Sequence, residues 1–312
     1  MPTAVAQQAA DHRPPARRSA LPDRRAQLVG LVFVILTALG WGLNWPATKF
    51  LVTTCPPLSA RGVSGLVACG MLFAIAASRG EALSVPRHLW LRVMAASLLN
   101  VSAWMGLTTA SLLWLPAGQA ATLAYTMPVW AALLAWPVLS EQPAPRQVAA
   151  ILLGLCGIVL LVGGTNLHVD AARLPGVGLA LSAAILFAIG TVLSKRTPIP
   201  LPRFASVAWQ ILLGCIPLLG TGLWLEQPHF AAMPPVAWVS LAYTAFISMG
   251  LCYVLWFAAV RRLKASHAAL GTLLTPIIGV TASSLALGDP LTVNQVASLG
   301  LVAGGIILAV RG

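Results

Sequence analysis

Acidic residues are scarce in this chain. Only seven Asp and Glu occur among 312 residues. Asp11, Asp23, Glu81, Glu141, Asp170, Glu226 and Asp289 all fall in the N-terminal stretch, in polar breaks or at the ends of apolar runs. No apolar run carries a carboxylate in its interior. An Asp/Glu proton relay of the kind used by membrane pumps therefore has no candidate, and a permanent cation would find no buried anionic partner. The five cysteines (Cys55, Cys69, Cys156, Cys215, Cys252) are odd in number and scattered, which excludes a disulfide framework and a metal-ligand cluster. They are expected to pack as small apolar residues. There is no P-loop, no nucleophile elbow and no HExxH pair, so ATP hydrolysis and the matching hydrolase chemistries lack their motifs. No catalytic residue, metal or cofactor is expected.

What is abundant is apolar. Hydrophobic residues make up 58% of the chain and charged residues 8%, where soluble domains carry roughly a quarter charged. Mean hydropathy is +0.86. A helix needs about 20 mostly apolar residues to cross a bilayer, and such runs recur from Gln27 almost to the C-terminus. Ten spans are expected, at 27–50, 58–78, 91–112, 116–138, 146–164, 177–195, 204–224, 236–258, 265–287 and 291–310. The fold class is all-α, a polytopic membrane protein.

The net charge of +12 follows topology rather than nucleic acid, because no basic run is interleaved with aromatics. With a cytoplasmic N-terminus, 16 of the 19 Lys and Arg fall in the tail or in inner loops. Only Lys49, Arg61 and Arg173 remain toward the outside. That bias places both termini in the cytoplasm of a cell inner (plasma) membrane. Residues 1–26, rich in Pro and Arg and without an apolar h-region, read as a disordered cytoplasmic tail rather than a signal peptide.

Shifting the sequence by 148 residues aligns its two halves without a gap over about fifty positions. Ala120–Ala121 falls on Ala268–Ala269, Pro128 on Pro276, Glu141 on Asp289, Gln147–Val148 on Gln295–Val296 and Gly157–Ile158 on Gly305–Ile306. Five spans per half is an odd number, so the halves (27–164 and 177–311, joined by an outer loop at 165–176) must enter the membrane in opposite senses. Such inverted repeats serve alternating access in secondary transporters.

Three segments carry a resemblance: "GWGLNWPATK" in the first span, "LPAGQAATLAYTMPVWAALLAWPVLSE" in the fourth and "ASHAALGTLLTPIIGVTASSLALGD" in the ninth. In order, duplication and spacing they resemble the paired signatures of the EamA family, the ten-helix branch of the drug/metabolite transporter superfamily. Where the family ends its ninth helix in Gly-Glu, this chain has Gly288-Asp289. The resemblance implies export of amino acids and related metabolites. A broad-specificity multidrug or cation exporter is the alternative within that class. An intramembrane lipid-modifying enzyme is the alternative from another class.

Polar stripes give candidate cavity residues. Thr37, Trp41, Asn44 and Thr48 step by four, three and four along the first span, which places them on one helical face. Asn100, Trp104 and Thr108 do so in the third span, and Thr244, Ser248, Cys252 and Trp256 in the eighth. The Ser and Thr residues could equally bond their own backbone, and Asn44 and Asn100 could link helices instead. Gln119, Gln210, Tyr125 and Tyr243 are further candidates, with interhelical bonding or packing as the other reading. Tyr253, one residue off its stripe, is expected to pack, and His267 to sit at the membrane interface. Lys49 is expected to snorkel to headgroups, and Arg61 either to do the same or to face the cavity mouth and attract carboxylates. Pro46, Pro128 and Pro276 would each bend their span by freeing a carbonyl four residues earlier. Gly300 and Gly304 suit internal helix packing. The expected partners are a small-molecule substrate and the lipid bilayer, with no nucleic acid, and the chain is expected to work as a monomer.

Overall fold

The computed structural model describes residues 24–140, 145–163, 170–263, 271 and 273–310. Every regular element among them is helical. Seven helices are long and apolar enough to cross a membrane: α1 (Arg24–Leu51), α2 (Pro57–Ser78), α3 (Arg87–Ser111), α4 (Ala117–Leu139), α6 (Ala171–Arg196), α7 (Arg203–Leu225) and α8 (Pro235–Val260). Three shorter apolar helices complete the described bundle: α5 (Pro145–Gly163), α9 (Leu274–Leu287) and α10 (Val293–Val310). This is a multi-pass membrane protein.

The helices sort their side chains as a bilayer demands. On α1, Leu28, Leu31, Val32, Ile35, Leu36, Leu39 and Leu43 are exposed, at the three- and four-residue steps of one face. Gly30, Val34, Thr37, Ala38, Trp45 and Thr48 are buried on the other. Glycine sets the closest approaches. A Cβ at Gly62 would lie 2.5 Å from Leu219 Cβ and 2.6 Å from its Cα, so α2 and α7 touch backbone to backbone. The contact of α5 with α10 is made twice. A Cβ at Gly157 would meet the Ser298 carbonyl at 3.0 Å, and one at Gly305 would meet the Ala150 carbonyl at 2.7 Å. Both members of the two pairs are related by the same 148-residue shift that aligns the halves.

The acidic residues have a structural use. Helices α2, α4 and α7 each begin after a proline (Pro56, Pro116, Pro202) whose side chain cannot cap. A first turn leaves several N–H groups without partners, and here a carboxylate from elsewhere supplies the acceptor. Glu226, after α7, takes Leu58 N at 3.0 Å, Ser59 N at 2.8 Å and Ser59 Oγ at 2.7 Å. Glu81, after α2, takes Ala205 N at 2.9 Å at the start of α7. Asp289, after α9, takes Ala117 N at 2.9 Å. A negative charge at a helix N-terminus is favourable in itself. Thus α2 and α7 cap each other, one at each end of the pair.

Several expectations change. α6 starts at Ala171, ahead of the expected 177, because Asp170 accepts from Ala172 N and pairs with Arg173. Pro128 does not bend a continuous helix. α4 is interrupted at Tyr125–Thr126, and Pro128 stands in the first turn of the segment Met127–Leu139, where its missing N–H would have no intrahelical partner anyway. Pro46 does lie inside continuous α1, and the Gly42 carbonyl it frees faces α9: a Cβ at Gly279 would lie 3.5 Å from that oxygen. Pro276 is the third residue of α9 and is buried; Thr272, whose carbonyl it was expected to free, and His267 lie outside the described residues, as do 1–23. Among the described residues Gly300 and Gly304 make no close helix contact, since no described atom of a neighbouring helix lies within 4 Å of a Cβ placed on either.

Candidate functional site

The central cavity forms where the regular helical pattern fails. α3 contains a π-helical segment at Leu98–Ala103 and α8 one at Tyr243–Leu251. The repeat shift carries the first, as 246–251, into the second. Wide π-turns insert an extra residue and displace the backbone hydrogen bonds, and they recur at functional sites. Side-chain bonds tie both segments to neighbouring helices. Trp41 Nε1 donates to the Ser248 carbonyl at 2.9 Å, and Ser102 Oγ to the Gly214 carbonyl at 2.7 Å.

Between these elements lies a cavity of about 580 Å³. Ten of the sequence-derived residues line it: Trp41, Asn44, Thr48, Arg61, Asn100, Trp104, Thr108, Tyr125, Ser248 and Trp256. Two aromatic walls dominate. In one, Trp41 stands with its ring 5.8 Å from both Tyr253 and Trp256. In the other, Trp104 packs on Phe187 at 4.9 Å and on Tyr125 at 6.4 Å, and Tyr125 continues to Trp45 at 6.3 Å.

The polar groups are few. Arg61 is 8% exposed, and its Nε donates to Thr109 Oγ1 at 2.7 Å. It does not snorkel. Nor does Lys49, whose ammonium donates to the carbonyls of Leu112 and Leu115, the latter at 3.1 Å, just past the C-terminal end of α3. A cation there complements the helix dipole and satisfies exposed carbonyls. Asn44 Oδ1 and Thr48 Oγ1 are buried, line the cavity and have no partner. Asn100 Oδ1 is also unpartnered, but it is packed against the Gly190 Cα of α6, so that residue serves a helix contact as well as the cavity wall. Thr108 bonds its own helix, at the Trp104 carbonyl.

Other candidates are not in the lining. Thr37 and Thr244 donate to carbonyls of their own helices, at Phe33 and Ser240. Gln119 opens on a separate cavity of about 290 Å³ shared with Asp170, Arg173, Thr292 and Asn294. Gln210 donates along its own helix to Ser206 Oγ at 3.2 Å. Tyr243 donates its hydroxyl to the Gly40 carbonyl at 2.9 Å, clasping α8 to α1. Sequence reasoning missed Trp45, Met105, Thr109, Leu112, Met127, Phe187, Thr191, Met249 and Tyr253. Tyr253 and Thr109 had a usable signal. Allowing one five-residue step through a π-turn carries Ser248 to Tyr253, and carries Asn100 to Met105 and on to Thr109. Cys252, expected on the stripe, is buried instead against Gly40. Phe187 and Thr191 belong to α6, which shows no polar stripe.

A two-walled cavity in an all-helical membrane bundle defines a class, and comparison with known proteins gives the family. The model of the EamA-like transporter family matches this chain twice, over residues 28–163 and 174–311. The chain belongs to that family. It is 32% identical over 291 residues to "Uncharacterized transporter YvbV" of Bacillus subtilis (strain 168), covering 92% of both chains. It is 28% identical over 287 residues to a "Probable amino-acid metabolite efflux pump" of Salmonella typhimurium, covering 89% of this chain and 93% of the relative. A crystal structure of a protein 20% identical aligns over 91% of this chain and 96% of its own, with a TM-score of 0.63, which establishes likeness of fold.

Proposed function

We propose that this protein exports small organic metabolites, most directly amino acids with aromatic or hydrophobic side chains, by alternating access through the central cavity. The observation that carries the reading is the cavity itself: about 580 Å³, within the range of small-ligand sites, with aromatic walls and a few polar groups. The relative named as an amino-acid metabolite efflux pump supports the substrate class.

In this reading all ten helices cross the membrane as two inverted five-helix repeats. The double match of the family model and the paired Gly157 and Gly305 contacts support it. Both termini face the cytoplasm of the inner membrane, a reading supported by the distribution of Lys and Arg. Exchange of conformation between the halves would expose the cavity to each side in turn. The two π-segments at equivalent places in α3 and α8 are the elements best suited to re-register during that exchange. The chain acts as a transporter, not an enzyme, and as a monomer. A cation exporter is disfavoured, because the described lining holds Arg61 and no carboxylate.

Uptake of a labelled amino-acid panel into proteoliposomes, without an ion gradient, tests this. Saturable uptake of aromatic amino acids, lowered by Trp104→Ala, is the expected result. If a folded protein moves none of them, the substrate class is wrong.

A further inference from the structure

We propose that Arg61 is the carboxylate-binding pole of the central cavity, and that its ligands are amphipathic organic monocarboxylates for which an α-ammonium group is dispensable. This rests on the reading of the cavity as the transport site, but goes beyond it in naming what the cavity recognises.

Arg61 stands in the second turn of α2, inside the membrane-spanning bundle, and is 8% exposed. A guanidinium offers five N–H donors in a planar fork. One of these, Nε–H, is taken by Thr109 Oγ1 at 2.7 Å, and no other described group accepts from it. The carboxylate at the start of α2, Glu226, is occupied by Leu58 N, Ser59 N and Ser59 Oγ. Asp170 pairs with Arg173, at another site. A charge held this deep without a counter-ion is strongly unfavourable unless something in the cavity partners it. The Nη edge of a guanidinium matches a carboxylate bidentately, and such charge-assisted pairs are the stronger kind of hydrogen bond.

The remaining groups settle the sign of the ligand. Lys49 is committed to the carbonyls of Leu112 and Leu115, which leaves Arg61 as the fixed charge of the described lining. An ammonium group would find uncharged acceptors there, Asn44 Oδ1 and Thr48 Oγ1. These can add to binding, but they do not offset a positive charge. An acid without an amine keeps the charged contact and both aromatic walls. An amine without the acid loses the contact and meets Arg61 with like charge.

The test is binding to the purified, detergent-solubilised protein by calorimetry, with 3-phenylpropionate, phenylalanine and phenethylamine as probes. The expected order has phenylpropionate within about threefold of phenylalanine, and phenethylamine weaker by at least about thirtyfold. Arg61→Gln should weaken both acids about tenfold or more and remove their advantage over the amine, and Arg61→Lys should fall between. The wild-type series decides the matter even if the variants fold poorly. The proposal is overturned if the amine binds as well as the acids, if neither acid binds, or if folded Arg61→Gln keeps its affinity for acids. Phenylalanine uptake independent of Arg61 would sink this inference and leave amino-acid export standing. Tight phenylpropionate binding with no amino-acid uptake would do the reverse.

Discussion

The indole N–H of Trp41 in α1 donates to the backbone carbonyl of Ser248 in α8, 2.9 Å away and 207 residues along the chain. The carbonyl belongs to a π-helical segment, and the indole ring forms part of the cavity wall. One side chain thus couples the irregular backbone to the site. Trp41→Phe keeps an aromatic ring and removes the donor. It should cost about 1 kcal/mol of stability, seen as a lower Tm in detergent, and reduce transport several-fold.

The reciprocal caps of α2 and α7 give a second expectation. Glu226→Gln and Glu81→Gln each weaken a charged acceptor at a helix N-terminus, for about 1 kcal/mol apiece. The two caps sit at opposite ends of a 23-residue helix, about 33 Å apart at 1.5 Å per residue. Their effects on Tm should therefore add within error in the double variant. Marked non-additivity would mean that the two ends are coupled.

Glycine contacts separate two classes of substitution. Gly62→Ala forces a methyl group into the Leu219 backbone and should destabilise by about 1–3 kcal/mol. Gly300→Ala meets no described neighbour and should be neutral or slightly stabilising, since alanine is the better helix former. Thermal melting of the two variants in the same detergent checks the contrast.

No Asp, Glu or His is found in the described lining of the central cavity. With an imposed substrate gradient and no pH gradient, initial uptake should change less than about twofold between about pH 6 and pH 8, a window in which neither Arg nor an ordinary Lys titrates. A steep pH dependence would point to a proton-coupling group outside that lining.

The sequence made some of this legible. On α1 the helix is regular, so the stripe from Trp41 through Asn44 to Thr48 reads directly as the cavity face. On α3 and α8 the same period still carries Trp104, Thr108 and Trp256 into the lining. The π-segments widen that face by one residue, which brings in Tyr253 and Thr109, while Cys252 is buried against Gly40. The acidic residues were legible as absent from membrane depth, yet their service as caps was not, because each reaches a helix distant in sequence. Gln119 and Gln210 show the other limit. A lone amide in an apolar run marks a wet or bonded place, but not which one. Arg61 needed the fold: only its burial beside Thr109, away from Glu226, distinguishes a cavity cation from one reaching for headgroups.

The central claim is that substrate passes through this cavity, and counterflow of labelled phenylalanine into phenylalanine-loaded proteoliposomes tests it most directly. The comparison is between Thr191→Trp, which would fill the cavity from α6, and Leu285→Trp on the exposed face of α9, where the leucine is 84% exposed. The account predicts robust counterflow in the wild type and in Leu285→Trp, and its loss in Thr191→Trp without a fall in Tm. Unchanged counterflow in Thr191→Trp, or none in the folded wild type, would contradict it.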